Sequence, residues 1–346
     1  MEKETVFILG AGASQEVDLP TGVELKDNIS SLLDIHYDDW NRKISGSDLI
    51  DKAFRILTKT GGPDDDIRTY IQKSWQIRDS LPLATSIDDL IDSHRDDNMI
   101  ATCGKLAIVN SILDAEKGSK LFIETSDMNS KIDFSSLSKT WYNKLFQILR
   151  ANCTKNELKS RFESTSFIIF NYDRCLEHFM FNALQDYYHL EQDEAIEMMS
   201  CINIFHPYGS VGHLPWSNQS CVMGFGGSLS PNKLIELSKG IKTFTEGTDP
   251  SSSEILEIKQ EMNTADRIVF LGFAFHELNM QLISPKKLNR VEKDLNCFAT
   301  TYNISESDKE VIKGQINSLY MKKVKTKMID NKCFEFFSEF WRSLAF

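Results

Sequence analysis

The chain has 346 residues, with 39 Lys plus Arg against 50 Asp plus Glu, a formal net charge of −11. That length buries a large core, as one big domain or two modest ones. The charge argues against a nucleic-acid grip spread over the whole surface, because phosphate binding draws on basic side chains; direct nucleic-acid binding is not expected.

No run is long and apolar enough to span a bilayer, and the start shows no apolar signal segment, so no membrane role is expected. Cysteines stand at positions 103, 153, 175, 201, 221, 297 and 333, with no C-x-x-C among them. An odd, dispersed set suits a reduced cytoplasm and offers neither a zinc clip nor a redox pair, so no metal is expected. There is no internal repeat and no low-complexity linker.

In chain order, Val6–Leu9 is predicted as a short buried strand. It runs into Gly10-Ala11-Gly12-Ala13-Ser14. Two glycines there allow a tight turn and a close backbone approach to a ligand. A helix starting near Ala13 would aim its free N–H groups and its dipole at an anion, and a pyrophosphate fits. The dinucleotide fingerprint G-x-G-x-x-G is incomplete, since its third glycine would fall at Gln15. An ordinary strand-to-helix turn is the other reading.

From about residue 30 to 160 no strand is predicted. Helices are expected over Ser47–Lys59, Asp64–Ile77, Ser86–Glu116 and Ser138–Cys153, with Ser86-Ile-Asp-Asp as an N-terminal cap. This block reads as a helical insertion between the first two strands, a subdomain over 35–160 beside an α/β domain formed by 1–34 and 161–346.

Further strands are expected at Ser166–Phe170, Cys201–Phe205, Cys221–Met223, Arg267–Leu271 and Cys297–Thr301. Strands alternating with helices predict an α/β fold, a mostly parallel sheet with helices on both faces. From Ser307 onward the chain reads as helical. The basic run Lys322, Lys323, Lys325, Lys327 is taken as a solvated face. Phe334, Phe337, Phe340 and Trp341 recur at helical spacing and are taken as core.

Chemistry concentrates just past the strands. Asn171 and Asp173 follow the second one. They either contact a ligand at the carboxyl edge of the sheet or turn the chain and cap the next helix. His206 follows the third, as a general base or as a satisfied loop histidine; His213 ranks below it. Gly272 follows the fourth, with His276 and Asn279 close behind. Four strands ending in small or polar residues at one edge suit a single extended anionic ligand.

In order and spacing, Gly10-Ala-Gly-Ala-Ser14, Asn171-Tyr-Asp173, His206-Pro-Tyr-Gly-Ser210 and Gly272-Phe-Ala-Phe275 resemble the sirtuin-like superfamily, most closely the NAD-hydrolase effectors of bacterial antiphage defence. Asp18-Leu-Pro-Thr-Gly22 looks like the segment after the first glycine turn in that group, and Ala299-Thr-Thr-Tyr-Asn303 like its adenine-side strand. The resemblance covers residues 1–30 and 165–305 and implies a Rossmann-like sheet binding NAD as substrate. Gly10, Ala11, Gly12 and Ser14 would then cradle the pyrophosphate, with Pro20, Thr21, Gly209 and Ser210 also in the NAD site. Asn171 would orient a water, Asp173 would touch the nicotinamide carboxamide, and His206 would act as base. Gly272 and Phe273 would line the adenosine ribose, Thr301 with Tyr302 the adenine side, and Phe275 would also belong to the NAD site.

The four-cysteine zinc module of the protein deacylases is missing. Thr21-Gly22-Val23 also stands where they carry Asp-Phe-Arg. The resemblance therefore implies an NAD glycohydrolase, with a deacylase, an ADP-ribosyl transferase or a non-catalytic NAD or ADP-ribose binding module as alternatives. It also implies control by assembly: a homo-oligomer and a partner subunit such as a HerA-type ATPase, an Argonaute-like protein or a nucleotide-processing sensor.

Overall fold

The computed structural model describes residues 4–40, 42–60, 66–124, 126–127, 130–217, 219–247, 252–285, 295–320 and 324–346. Eight strands occur among them: β1 (Thr5–Leu9), β2 (His36–Tyr37), β3 (Lys43–Ser45), β4 (Thr165–Ile169), β5 (Asn203–Phe205), β6 (Arg267–Leu271), β7 (Asn296–Thr300) and β8 (Lys325–Ile329). Six of these form one sheet in the order β5-β4-β1-β6-β7-β8. Every pairing in it is parallel. Counting only its own strands, the sheet has the order 3-2-1-4-5-6 of Rossmann-type folds.

Strand chemistry explains the layering. β1, β4 and β6 are buried along their whole length, as parallel strands covered on both faces must be. Alternate residues divide between two cores. Val6, Ile8, Ile168, Ile268 and Phe270 pack on one face against helices that carry Ile29, Phe54, Ile77 and Leu106. Phe7, Leu9, Phe167, Val269 and Leu271 pack on the other, against Trp141, Leu145, Phe179 and Phe337.

Helices dominate the chain between β1 and β4, as expected. The longest, Asn98–Gly118, is buried on most of its surface, including Cys103, Leu106, Ile108 and Glu116, so it runs through the interior. Two details differ from the sequence reading. β2 and β3 form a small antiparallel hairpin, too short to leave a period-two pattern. The expected helix Ser86–Glu116 is two helices, Ile87–Ser93 and Asn98–Gly118. Asp97 separates them because its side chain caps the second, accepting from the Met99 and Ile100 amides. Asp64, Lys322 and Lys323 lie outside the described residues.

The C-terminal expectation also needs correcting. Lys325–Ile329 is the outer strand β8, not helix. Its exposed Lys325 and Lys327 point outward in alternation, and they are what made it read as a solvated basic run. The expected strand Cys221–Met223 is a loop, with a single bridge from Val222 to His213. At the end of the chain Phe336 and Phe337 are fully buried, while Phe340 and Trp341 pack only partly against them.

Candidate active site

Chain order reverses between β1 and β6, so a crevice opens at their carboxyl ends. Both strands leave through glycine. After β1, Gly10 leads directly into the short helix Ala11–Ser14, two residues earlier than expected. After β6, Gly272 takes a left-handed backbone, φ 54°. The two turns lie backbone against backbone. A Cβ on Gly10 would run into the Gly272 carbonyl and come within 2.7 Å of the Phe273 Cα. A Cβ on Gly272 would come within 2.7 Å of the Gly12 Cα. The Gly10 amide donates to the Leu271 carbonyl at 3.0 Å, and the Gly12 amide to the Gly272 carbonyl at 3.1 Å. The Gly12 N–H is thus engaged within the protein, and an anion at this turn meets the start of the helix without it.

A cleft of about 380 Å³ opens over this junction, lined among others by Gly10, Ala11, Gly12, Asn171, Phe273 and Asp88. The Asn171 carboxamide is held at its wall. Nδ2 donates to the Gly10 carbonyl at 3.0 Å and to Ser14 Oγ at 3.2 Å. Ser14 Oγ–H donates to Asp173 Oδ2 at 2.9 Å, and Asp173 Oδ1 accepts the Cys175 amide at 3.1 Å. Asp173 therefore ties the first turn of the helix Cys175–Tyr188 to the glycine turn. It is buried, and burial pushes its carboxyl above the usual range. The two readings open for Asn171 and Asp173 part here: Asn171 lines the cleft, and Asp173 holds the turn behind it.

His206 follows β5. Its Nδ1 lies 3.3 Å from the Asn171 carbonyl oxygen and its Nε2 lies 2.7 Å from Glu177 Oε1. Both partners are acceptors, so the ring satisfies both only by carrying two protons. Burial acts to lower the His206 pKa, but the Glu177 carboxylate and the Asn171 carbonyl outweigh it, and the net shift is upward. Glu177 is in turn held below the usual carboxylate range: burial opposes this, and the His206 charge and hydrogen bond prevail. The result is an ion pair with both side chains about 14% exposed.

His206 and Asn171 sit on different cavities. His206 lines a larger one, about 590 Å³, together with Glu177, Gly209, Ser210, His213 and Trp216. The Asn171 main chain joins the two, its side chain facing the glycine cleft and its carbonyl facing His206. Gly209 (φ 72°) admits no side chain, because a Cβ would collide with the Gly240 carbonyl. Ser210 Oγ donates to the Gly212 carbonyl at 3.3 Å.

Other residues expected at the site line neither cavity. Thr21 caps the helix Gly22–Leu33 in a reciprocal box with Glu24, and Pro20 precedes it. Phe275 is buried against Phe270 and Phe273. Thr301 is sealed, its hydroxyl without a partner among the described residues, and Tyr302 is about half exposed. His276 and Asn279 do line the smaller cleft.

The sequence reading missed Glu177, the Asp88 contact to Tyr172 Oη, and the hydrogen bond of 2.5 Å from Tyr208 Oη to Asn279 Oδ1. Of these residues only Asp88 belongs to a segment that the sequence singles out, the expected cap Ser86-Ile-Asp-Asp. Among the described residues no group of His, Cys, Asp and Glu is arranged to hold a metal, and no helix is long and apolar enough to cross a membrane. No model of a known protein family matches this chain, and no curated protein matches it either.

Proposed function

We propose that the chain is an NAD glycohydrolase, releasing nicotinamide and leaving ADP-ribose. The supporting observation is the contact between Asn171 and His206. They follow different strands, yet one ring nitrogen lies 3.3 Å from the Asn171 carbonyl, beside the glycine turns at the switch point of the sheet. NAD laid across that point would put its pyrophosphate at the start of the helix Ala11–Ser14.

Scission of the bond between the nicotinamide nitrogen and ribose C1′ passes through an oxocarbenium-like state, and the nicotinamide leaves neutral. No strong acid is needed on it. What accelerates the step is a positioned water and hydrogen bonding that steadies charge on the sugar. Asn171 does not titrate, so its part is to orient the ribose and the water. Both His206 nitrogens face acceptors at rest, so a base role requires Nε2 to pass its proton across 2.7 Å to Glu177 Oε1, turn away from that carboxyl and then take the proton of the attacking water. In the cell, such an activity would serve as the effector of an antiphage system that depletes NAD, switched by a homo-oligomer or a partner subunit of the kinds named above.

Product analysis by liquid chromatography tests the reading, with NAD as substrate and with and without a co-expressed neighbour. Asn171→Ala and His206→Ala are each expected to lower nicotinamide release by about 100-fold or more. Undiminished NAD loss in both variants, or no loss from the wild type under any condition, overturns it.

A second reading, a module that binds NAD or ADP-ribose without turnover, draws on one specific observation. The Asn171 amide and both His206 nitrogens already have protein partners. Calorimetry with each ligand beside the turnover assay separates the two readings.

A further inference from the structure

The helical insertion grips the loop that carries Asn171 at two points. The first is Arg174, which is 1% exposed. Its guanidinium has five N–H donors and meets five acceptors. Nε and Nη2 pair with Glu116 Oε1 and Oε2 at 3.1 and 2.5 Å. Nη1 donates to the Met223 and Gly212 carbonyls at 2.5 and 3.4 Å, and Nη2 also to the Gly224 carbonyl at 3.1 Å. Glu116 belongs to the last turn of the helix Asn98–Gly118 and is fully buried. Its Oε2 also accepts the Gly226 amide at 2.9 Å. Gly226 is pressed so close to that helix end that a Cβ would come within 2.7 Å of the Lys117 Cα.

The second point is Tyr172, whose hydroxyl donates to Asp88 on the helix Ile87–Ser93. The Tyr172 carbonyl accepts the Val211 amide at 3.1 Å. Two carboxylates from two insertion helices thus hold residues 172 and 174, on either side of Asp173 and next to Asn171. The same contacts fasten Val211, Gly212, Met223, Gly224 and Gly226, beside the His213, Trp216 and Cys221 that roof the larger cavity.

We infer that Glu116 and Asp88 are positioning residues through which the insertion sets the placement of the Asn171–Arg174 loop. A displacement of the helix Asn98–Gly118 is therefore passed to the Asn171 loop and to the cavity roof together. A subunit or second copy bound to the insertion would act on the site by this route, with no contact to the ligand. Where activity is concerned, the inference rests on the NAD-hydrolase reading; the placement of the loop does not.

Hydrogen exchange with mass spectrometry on the full chain tests it, in wild type, Glu116→Gln and Tyr172→Phe. Peptides covering 171–176 and 209–227 are expected to exchange about tenfold faster in the variants, with β1 and β6 unchanged. Nicotinamide release should fall by about 100-fold in kcat, with KM within about threefold. Unchanged loop exchange, or acceleration spread evenly over the sheet, overturns the inference. If Glu116→Gln does not fold, Tyr172→Phe decides by the same readings. Faster loop exchange in a protein that never consumes NAD leaves the clamp standing and removes the NAD-hydrolase reading instead.

Discussion

The two cavities that meet at the Asn171 loop are made of different material. The glycine cleft owes its shape to main chain: Gly10, Gly12 and Gly272 let β1 and β6 end in mutual contact. The larger cavity owes its shape to charged side chains that find each other across long stretches of sequence. Arg174 and Glu116 are 58 residues apart, and His206 and Glu177 are 29 apart. A cleft built from backbone tolerates almost no substitution at its glycines. A cavity built from ion pairs depends on which partners keep their charge, so it responds to pH.

The sharpest way to break the first is Gly272→Ala. The new Cβ meets the Ala13 amide and a left-handed backbone at once. A loss of more than about 3 kcal/mol is expected, read as a lowered midpoint in urea.

The second cavity answers to titration through His206, and His178, a buried histidine outside that cavity, responds in the opposite direction. The His206 pKa is raised above its ordinary 6.5. The stability it contributes is complete below pH 6.5 and fades as the pH climbs through the raised native value. His178, stacked on Phe225 at 4.1 Å between ring centroids, is pushed down to about 4, chiefly by burial. Below pH 6.5 the unfolded chain takes a proton that native His178 refuses, so stability falls from pH 6.5 toward 4. Urea unfolding between pH 5 and 9 is expected to lose its alkaline decline in Glu177→Gln and its acid decline in His178→Gln.

The smallest effect sharpens the contrast by leaving the glycine turns and the His206–Glu177 pair alone. Thr21→Ala removes the cap of Gly22–Leu33 and is expected to cost about 1 kcal/mol in thermal or urea unfolding. The turnover of the surviving folded protein should stay unchanged.

The same division governs what was legible in the sequence. β1, β4 and β6 announce themselves as apolar runs that end in Gly or Asn, and they are the strands buried on both faces. β8 was misread because an edge strand carries polar residues outward, and β2 and β3 are too short for any period to emerge. Asn171, His206 and the glycine turns stood out because each sits immediately past a strand. Glu177 and Glu116 did not, since both lie within ordinary helical sequence and gain meaning only from a partner brought in by the fold. Thr301 and Tyr302 sit one strand further out, and the cleft over the glycine turns does not extend to them.

The rims of the sheet carry a last implication. β5 is three residues long, and β8 presents Lys325 and Lys327 along the opposite rim. A strand from another molecule would find little length to zip onto at one flank and two lysine-bearing positions at the other. Growth by ladder extension, the route to fibres, is thereby discouraged. A higher-order complex of this protein would have to be joined through helices and loops.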